Sequence, residues 1–218
     1  MTTALQRAPR LGLRMLYSPR AWRRWFRHAS SGIRDRHAER TFGQIAPYVP
    51  AGSRVVDLGA YDGRLGRLLH ERAACGVELV DIVDHNVTSL PFHRYDGRTV
   101  PLADGSCDVV IAMYVLHHAK DDLQLLREMR RIVAPGGRVL IAEDLVDRFA
   151  QRAITIGFHI WLATFTFMGW SRFRTTAAWR DRFTAAGLSL DPGSYGVVSL
   201  GAAGPLWPRN VLYVLRPR

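Results

Sequence analysis

Residues 55–66 read VVDLGAYDGRLG, an apolar run that ends on Asp57 and Leu58 and is followed by Gly59, Gly63 and Gly66. Short β-branched runs of this kind fit a buried strand, and a helix starting near Arg64 leaves Gly59 to Gly63 as a tight loop between the two. In a doubly wound sheet the ligand sits outside the carboxyl ends of the strands, and glycines after the first strand let the backbone close on it. Gly59 and Gly63 are the expected contact glycines. The loop also feeds a helix N-terminus, where free N–H groups favour an anionic group. The dinucleotide spacing G-x-G-x-x-G is absent, so the loop alone does not name its ligand.

Working outward, strand-like runs at Arg54–Leu58, Glu78–Val83, Asp108–Met113 and Arg138–Ala142 are short and β-branched, with helix-like stretches after the first and third. That rhythm predicts an α/β fold: a Rossmann-like, mostly parallel sheet with crossover helices on both faces. SYGVVSLG and NVLYVLR, at 194–201 and 210–216, lie too close for a crossover helix and are expected to pair antiparallel at one edge. A chain of 218 residues suits one such domain. Cys75 and Cys107 permit at most one disulfide, and Cys107 opens an apolar run, so reduced thiols and a cytoplasmic protein are expected.

The net charge of +11 is uneven: residues 1–54 carry +9, and residues 55–218 only +2. A global nucleic-acid-binding surface is therefore not implied, and DNA is not an expected partner. In SPRAWRRWFRHA, Ser18 and Pro19 are placed as N-cap and first helical residue. Trp22, Trp25, Phe26 and Ala29 then share one helical face, with Arg20, Arg23, Arg24 and Arg27 on the rest. Three readings fit this arm: a helix packed on its own domain, a helix in the membrane interface, or a transit peptide. Residues 1–37 are read as the arm, and 38–218 as the catalytic domain.

Taken in order, VVDLGAYDG, an acid at the end of the second strand, YDGRTVPLADGSCDVVIAMYVLHHA, LLREMRRIVAPGGRVLIAED and RTTAAWRDRFTAAGL resemble the class I S-adenosylmethionine-dependent methyltransferases of small-molecule type, over roughly residues 38–190. The resemblance implies a seven-stranded sheet and S-adenosylmethionine as cofactor. By position it implies that Asp57 and Gly59 hold the methionine part and underlie the adenosine. It also implies that Asp81 accepts the ribose hydroxyls, with Asp84 or Glu78 as alternatives, that Asp96 and Gly97 contact the adenine, and that Met113 lies beside the adenosyl group. The family loop D-x-G-x-G-x-G has Tyr61 at its middle glycine here; that side chain must point away from the cofactor or lie over its methionine end.

The segment AMYVLHH lacks the N/D-P-P-Y/F loop of many amine methylators, and Lys120 is the sole lysine, which excludes a lysine-based RNA tetrad. Oxygen or carbon acceptors on a small molecule remain. His117, after the strand that ends at Met113, is the candidate general base, and Tyr114 a candidate for positioning the acceptor. No metal is expected.

The charge-free stretch ITIGFHIWLATFTFMGW, residues 154–170, is short for a membrane span. It is read as part of a lid or substrate insertion over 147–174, with two readings for His159: a polar group in a hydrophobic acceptor pocket, or a buried imidazole bonded to a backbone carbonyl. The expected function is methylation of a small hydrophobic acceptor. An RNA methyltransferase using the basic arm and a cofactor-binding protein without transfer are the alternatives.

Overall fold

Val55 to Leu58 are buried at every position, which a strand tolerates only when it is covered on both faces and flanked on both edges. In the computed structural model, which describes residues 31–166, 171–198 and 208–218, this strand, β1 (Arg54–Leu58), has parallel neighbours on both sides. They are β2 (Gly76–Asp81) and β4 (Cys107–Met113). A short β3 (Phe92–Arg94) lies beyond β2, and β5 (Val133–Asp144) beyond β4, all parallel. The last two strands, β6 (Leu188–Val198) and β7 (Asn210–Pro217), complete a seven-stranded sheet of order β3-β2-β1-β4-β5-β7-β6. They pair antiparallel with each other, as the sequence predicts, and β7 is slotted between β5 and β6, antiparallel to both.

Among the described residues, five α-helices accompany the sheet. On one face α1 (Ser31–Ile45) and α2 (Arg64–Ala73) cover Val55, Val77, Leu79, Val109 and Ile111 through Ile45 and Leu69. On the other, α3 (Asp122–Ile132) and α5 (Thr176–Ala185) cover Val56, Leu58, Val110 and Ile141 through Leu125, Leu126, Met129, Trp179 and Phe183. Asp121 caps α3 by accepting the Gln124 N–H at 3.0 Å, and Thr175 caps α5 by accepting that of Ala178 at 3.3 Å. The remaining helix, α4 (Phe149–Thr166), follows β5 and lies within the expected insertion.

The N-terminal arm falls largely on residues 1–30, outside those described. The division placed between residues 37 and 38 falls inside α1, which runs unbroken through both. That helix is fastened to the loop after β1. Arg34 and Arg64 both reach Asp62, at 2.8 and 3.0 Å, and Arg72 makes a two-pronged pair with Glu39, both arms 2.7 Å. Among the described residues no helix is long and apolar enough to cross a membrane. Both cysteines are free and buried.

Candidate active site

Every expected cofactor residue lies at the carboxyl end of a parallel strand. Asp57 is the penultimate residue of β1, in register with Leu79 of β2 and Ile111 of β4. The chain then turns through Gly59, whose N–H donates to the Val80 carbonyl at 2.7 Å and whose φ is 75°. A Cβ here would stand 2.3 Å from Val115, so the glycine lets the loop after β1 touch the loop after β4. Gly63 also has a positive φ, 76°, but its missing Cβ makes room for Leu79 and Asn86. Its role visible here is close packing of α2 on β2 rather than an opening toward a ligand.

Tyr61 takes up the left-handed conformation of the glycine it replaces, with φ 49°. For a side chain with a Cβ this costs on the order of 1–2 kcal/mol. Two contacts hold it: its N–H donates to Asp81 Oδ2 at 2.8 Å, and its ring meets His85 edge-on at 5.2 Å between centroids. The ring is 41% exposed and so stands outside the fold.

Asp81 ends β2 and also accepts the Val83 N–H, at 3.2 Å. Asp96 follows β3, where its Oδ1 accepts the N–H groups of Arg98 and Thr99, both at 2.8 Å; these bonds hold its carboxyl below the usual range. Gly97, with φ 83°, completes that turn. Met113 ends β4 and is partly buried against the cluster on the α1–α2 face.

Asp57 supplies the test of whether these residues fit a bound group. Its carboxylate is buried, and Oδ2 has no hydrogen-bond partner. Burial first, and then the neighbouring Asp81, push its carboxyl up to about 7. A buried carboxylate with one unpartnered oxygen beside Asp81 suits a cationic group, and the carboxylates of Asp81 and Asp96, at the end of β2 and after β3, suit hydroxyl or amine donors.

Residues 31–192 match the family described as methyltransferase domain. The chain belongs to that family. The chain is similar, at 48% identity over 55 residues, to demethylmenaquinone methyltransferase of Corynebacterium efficiens, the match covering 25% of this chain and 24% of that one. It is 33% identical over 101 residues to a tRNA (carboxymethyluridine(34)-5-O)-methyltransferase of Mus musculus, covering 43% and 15%. The matches thus span a quarter or less of these curated relatives. Among solved structures it superposes on the methyltransferase in complex with the Trm112 methyltransferase activator of Haloferax volcanii, with TM-score 0.71, 22% identity, and 90% and 97% of the chains covered. The cofactor of such folds is S-adenosylmethionine, and the carboxylates at the ends of β1, β2 and β3 fit its ammonium, ribose hydroxyls and adenine amine.

Beyond β4 the chain places its two expected catalytic residues on different sides. Tyr114 has φ 62°, and its ring lies 5.7 Å from that of His37 on α1, with a buried hydroxyl that has no partner. Burial, with Asp144 and Glu143 adding to it, holds the phenol well above its ordinary range. His117 sits in a one-turn helix, Leu116–His118, with its side chain only 1% exposed. Its Nδ1 bonds Glu143 Oε2 at 2.7 Å, while Glu143 Oε1 accepts the Leu116 N–H at 2.9 Å. Burial pulls His117 down, but the Glu143 carboxylate outweighs it and the imidazole ends up raised.

Three residues complete this corner that sequence reasoning did not place there. Glu143 and Asp144 close β5 with both side chains buried. His159 comes in on α4: its Nδ1–H donates to the Thr155 carbonyl at 3.0 Å, as in the second of its two readings. Its ring nevertheless also meets those of His117, at 5.3 Å, and Phe173, at 4.6 Å. The opposite side of α4 leaves Phe149, Ile156, Ile160 and Trp161 exposed.

Proposed function

We infer that this chain methylates an oxygen or carbon of a small hydrophobic acceptor, using S-adenosylmethionine. The observation that carries the reading is the placing of α4. This apolar helix brings His159 to within 5.3 Å of His117, ring to ring, at the carboxyl ends of β4 and β5, where ligands of doubly wound sheets bind. Phe158 and Phe173 flank that imidazole. An apolar wall with a few polar groups is the usual form of a small-molecule site.

When bound, the cofactor supplies a methyl group activated on a sulfonium. Asp57 would hold the methionine ammonium, Asp81 the ribose and Asp96 the adenine. The protein's main contribution to rate is then to hold the acceptor in line with the donor and to exclude water. His117 keeps Nδ1–H on Glu143, which leaves Nε2 as the nitrogen able to take a proton from an acceptor hydroxyl. Tyr114, across the site, would position the acceptor.

Peripheral membrane association through the N-terminal arm, residues 1–37, and a cytoplasmic location remain part of this proposal. The test is calorimetric titration with S-adenosylmethionine, followed by transfer of labelled methyl to a panel of quinones, phenols and polyketide-like hydroxyls, with total tRNA as a separate arm. Transfer to the apolar panel supports the reading. Transfer to tRNA alone would replace the acceptor class, and cofactor binding without transfer to any acceptor would leave a binding protein.

A further inference from the structure

Three imidazoles meet at the top of the sheet. One ring nitrogen from each of His117, His118 and His159 lies within 4.8 Å of those of the other two. The hydrogen bonds decide which nitrogens carry lone pairs. His117 donates Nδ1–H to the Glu143 carboxylate and His159 donates Nδ1–H to the Thr155 carbonyl, so each keeps its lone pair on Nε2. His118 Nδ1 lies 3.2 Å from Ser171 Oγ, and with the hydroxyl accepting from Nδ1–H its lone pair too is on Nε2.

Two of these nitrogens lack what a metal-free site would normally give them. His117 Nε2 is buried with no partner at all. His159 Nε2, a lone-pair nitrogen, faces Asp144 Oδ2 at 3.4 Å, so two acceptors confront each other unless a proton or a cation stands between them. Asp144 is itself fixed, because its Oδ1 accepts from Asn210 Nδ2 at 2.7 Å.

We propose that His117, His118 and His159 form a binding site for a divalent cation of the zinc class, with the fourth position left to solvent. Three imidazoles with one open position are a donor set that zinc takes in tetrahedral geometry. The donors are already oriented from behind, His117 by a carboxylate, His159 by a backbone carbonyl and His118 by a hydroxyl, the outer arrangement that metal-binding histidines require. Bonds of about 2.0–2.1 Å put tetrahedral ligand atoms about 3.4 Å apart, so the nitrogens close up by roughly 1.4 Å at most.

The site does not depend on which acceptor the protein uses. It makes two uses of one lone pair exclusive: His117 Nε2 serves as proton acceptor in the metal-free protein or as ligand in the loaded one.

The test uses the full chain, stripped with a chelator and titrated with Zn²⁺ against a chromophoric competitor, and separately with Co²⁺ to read the visible spectrum. One equivalent bound at submicromolar Kd, with the intense visible bands of four-coordinate Co²⁺, is expected. His118→Ala and His159→Ala should each weaken Zn²⁺ binding by roughly 100-fold or more. His70→Ala, on α2 and away from the cluster, should bind as the parent does. These variants avoid the buried His117, and thermal melts without metal confirm that they are folded. Stoichiometric binding lost in both variants and kept in His70→Ala establishes the site. No tight binding, or tight binding kept in either variant, overturns it.

Discussion

Glu143 bridges the one-turn helix after β4 to the end of β5: one carboxylate oxygen takes the Leu116 N–H, and the other holds His117 Nδ1 at 2.7 Å, with both side chains 1% exposed. Removing one member of a buried pair leaves the other uncompensated, at a cost of about 3–5 kcal/mol. Glu143→Ala is therefore expected to lose stability on that scale in urea unfolding. Glu143→Gln, which keeps an acceptor, should lose less but lower the His117 pKa, read from its imidazole proton resonances. A His117 titration unchanged in Glu143→Gln would refute the coupling.

Asp57 has a folded-state pKa raised from 3.8 to about 7. Between those values the folded protein holds a proton that the unfolded chain has lost, so stability falls as pH rises through this window. Asp57→Asn should flatten that slope in the cofactor-free protein. A bound ammonium would favour the carboxylate, so S-adenosylmethionine should release a fraction of a proton near pH 7. Calorimetry in two buffers of different ionisation enthalpy counts it, and the count should vanish in Asp57→Asn.

Gly59 and Tyr61 are expected to differ in their response to substitution. Gly59→Ala meets Val115 at 2.3 Å and keeps φ 75°, so a loss of about 2 kcal/mol or more is expected. Tyr61→Gly relieves a positive φ but frees the unfolded chain, two effects of similar size and opposite sign, so its stability should stay within about 1 kcal/mol of the parent. Paired denaturation curves decide it.

Asp81→Ala should weaken S-adenosylmethionine binding, because charge-assisted hydrogen bonds of the kind it would make contribute about 1.5–3 kcal/mol. It also frees the Tyr61 and Val83 N–H groups, so the loop should loosen, seen as faster amide exchange at those residues. Asp96→Ala should weaken binding without affecting the Tyr61 loop. Unchanged affinity in both variants would remove these acids from the site.

The ends of β1 and β2 could be read in the sequence because each is marked locally by an apolar run and then an acid or glycine, as at Asp57 and Gly59 or at Asp81, whereas β3, with His93 and Arg94 in its three residues, carries no such run. Gly63 was harder, because its need for no side chain is set by Leu79 and Asn86, more than fifteen residues away. β5 begins at Val133, not near Arg138, since APGG reads as a turn while the sheet carries it through an irregular register opposite Cys107. The histidine corner was invisible for a tertiary reason. Helical spacing puts Thr155 and His159 on one face, but only the docking of α4 decides that this face meets His117.

The position of β7 between β5 and β6 has a consequence for how the molecule assembles. β6 precedes its only partner in the chain, so until residues 210–217 arrive it has no strand to join and β5 presents a bare edge. Closing the sheet therefore waits on its last-made strand, a long-range pairing of the kind that slows folding and leaves intermediates prone to aggregate. Asn210, the residue that orients Asp144, belongs to that strand, so this corner of the protein is complete only once β7 has joined the sheet.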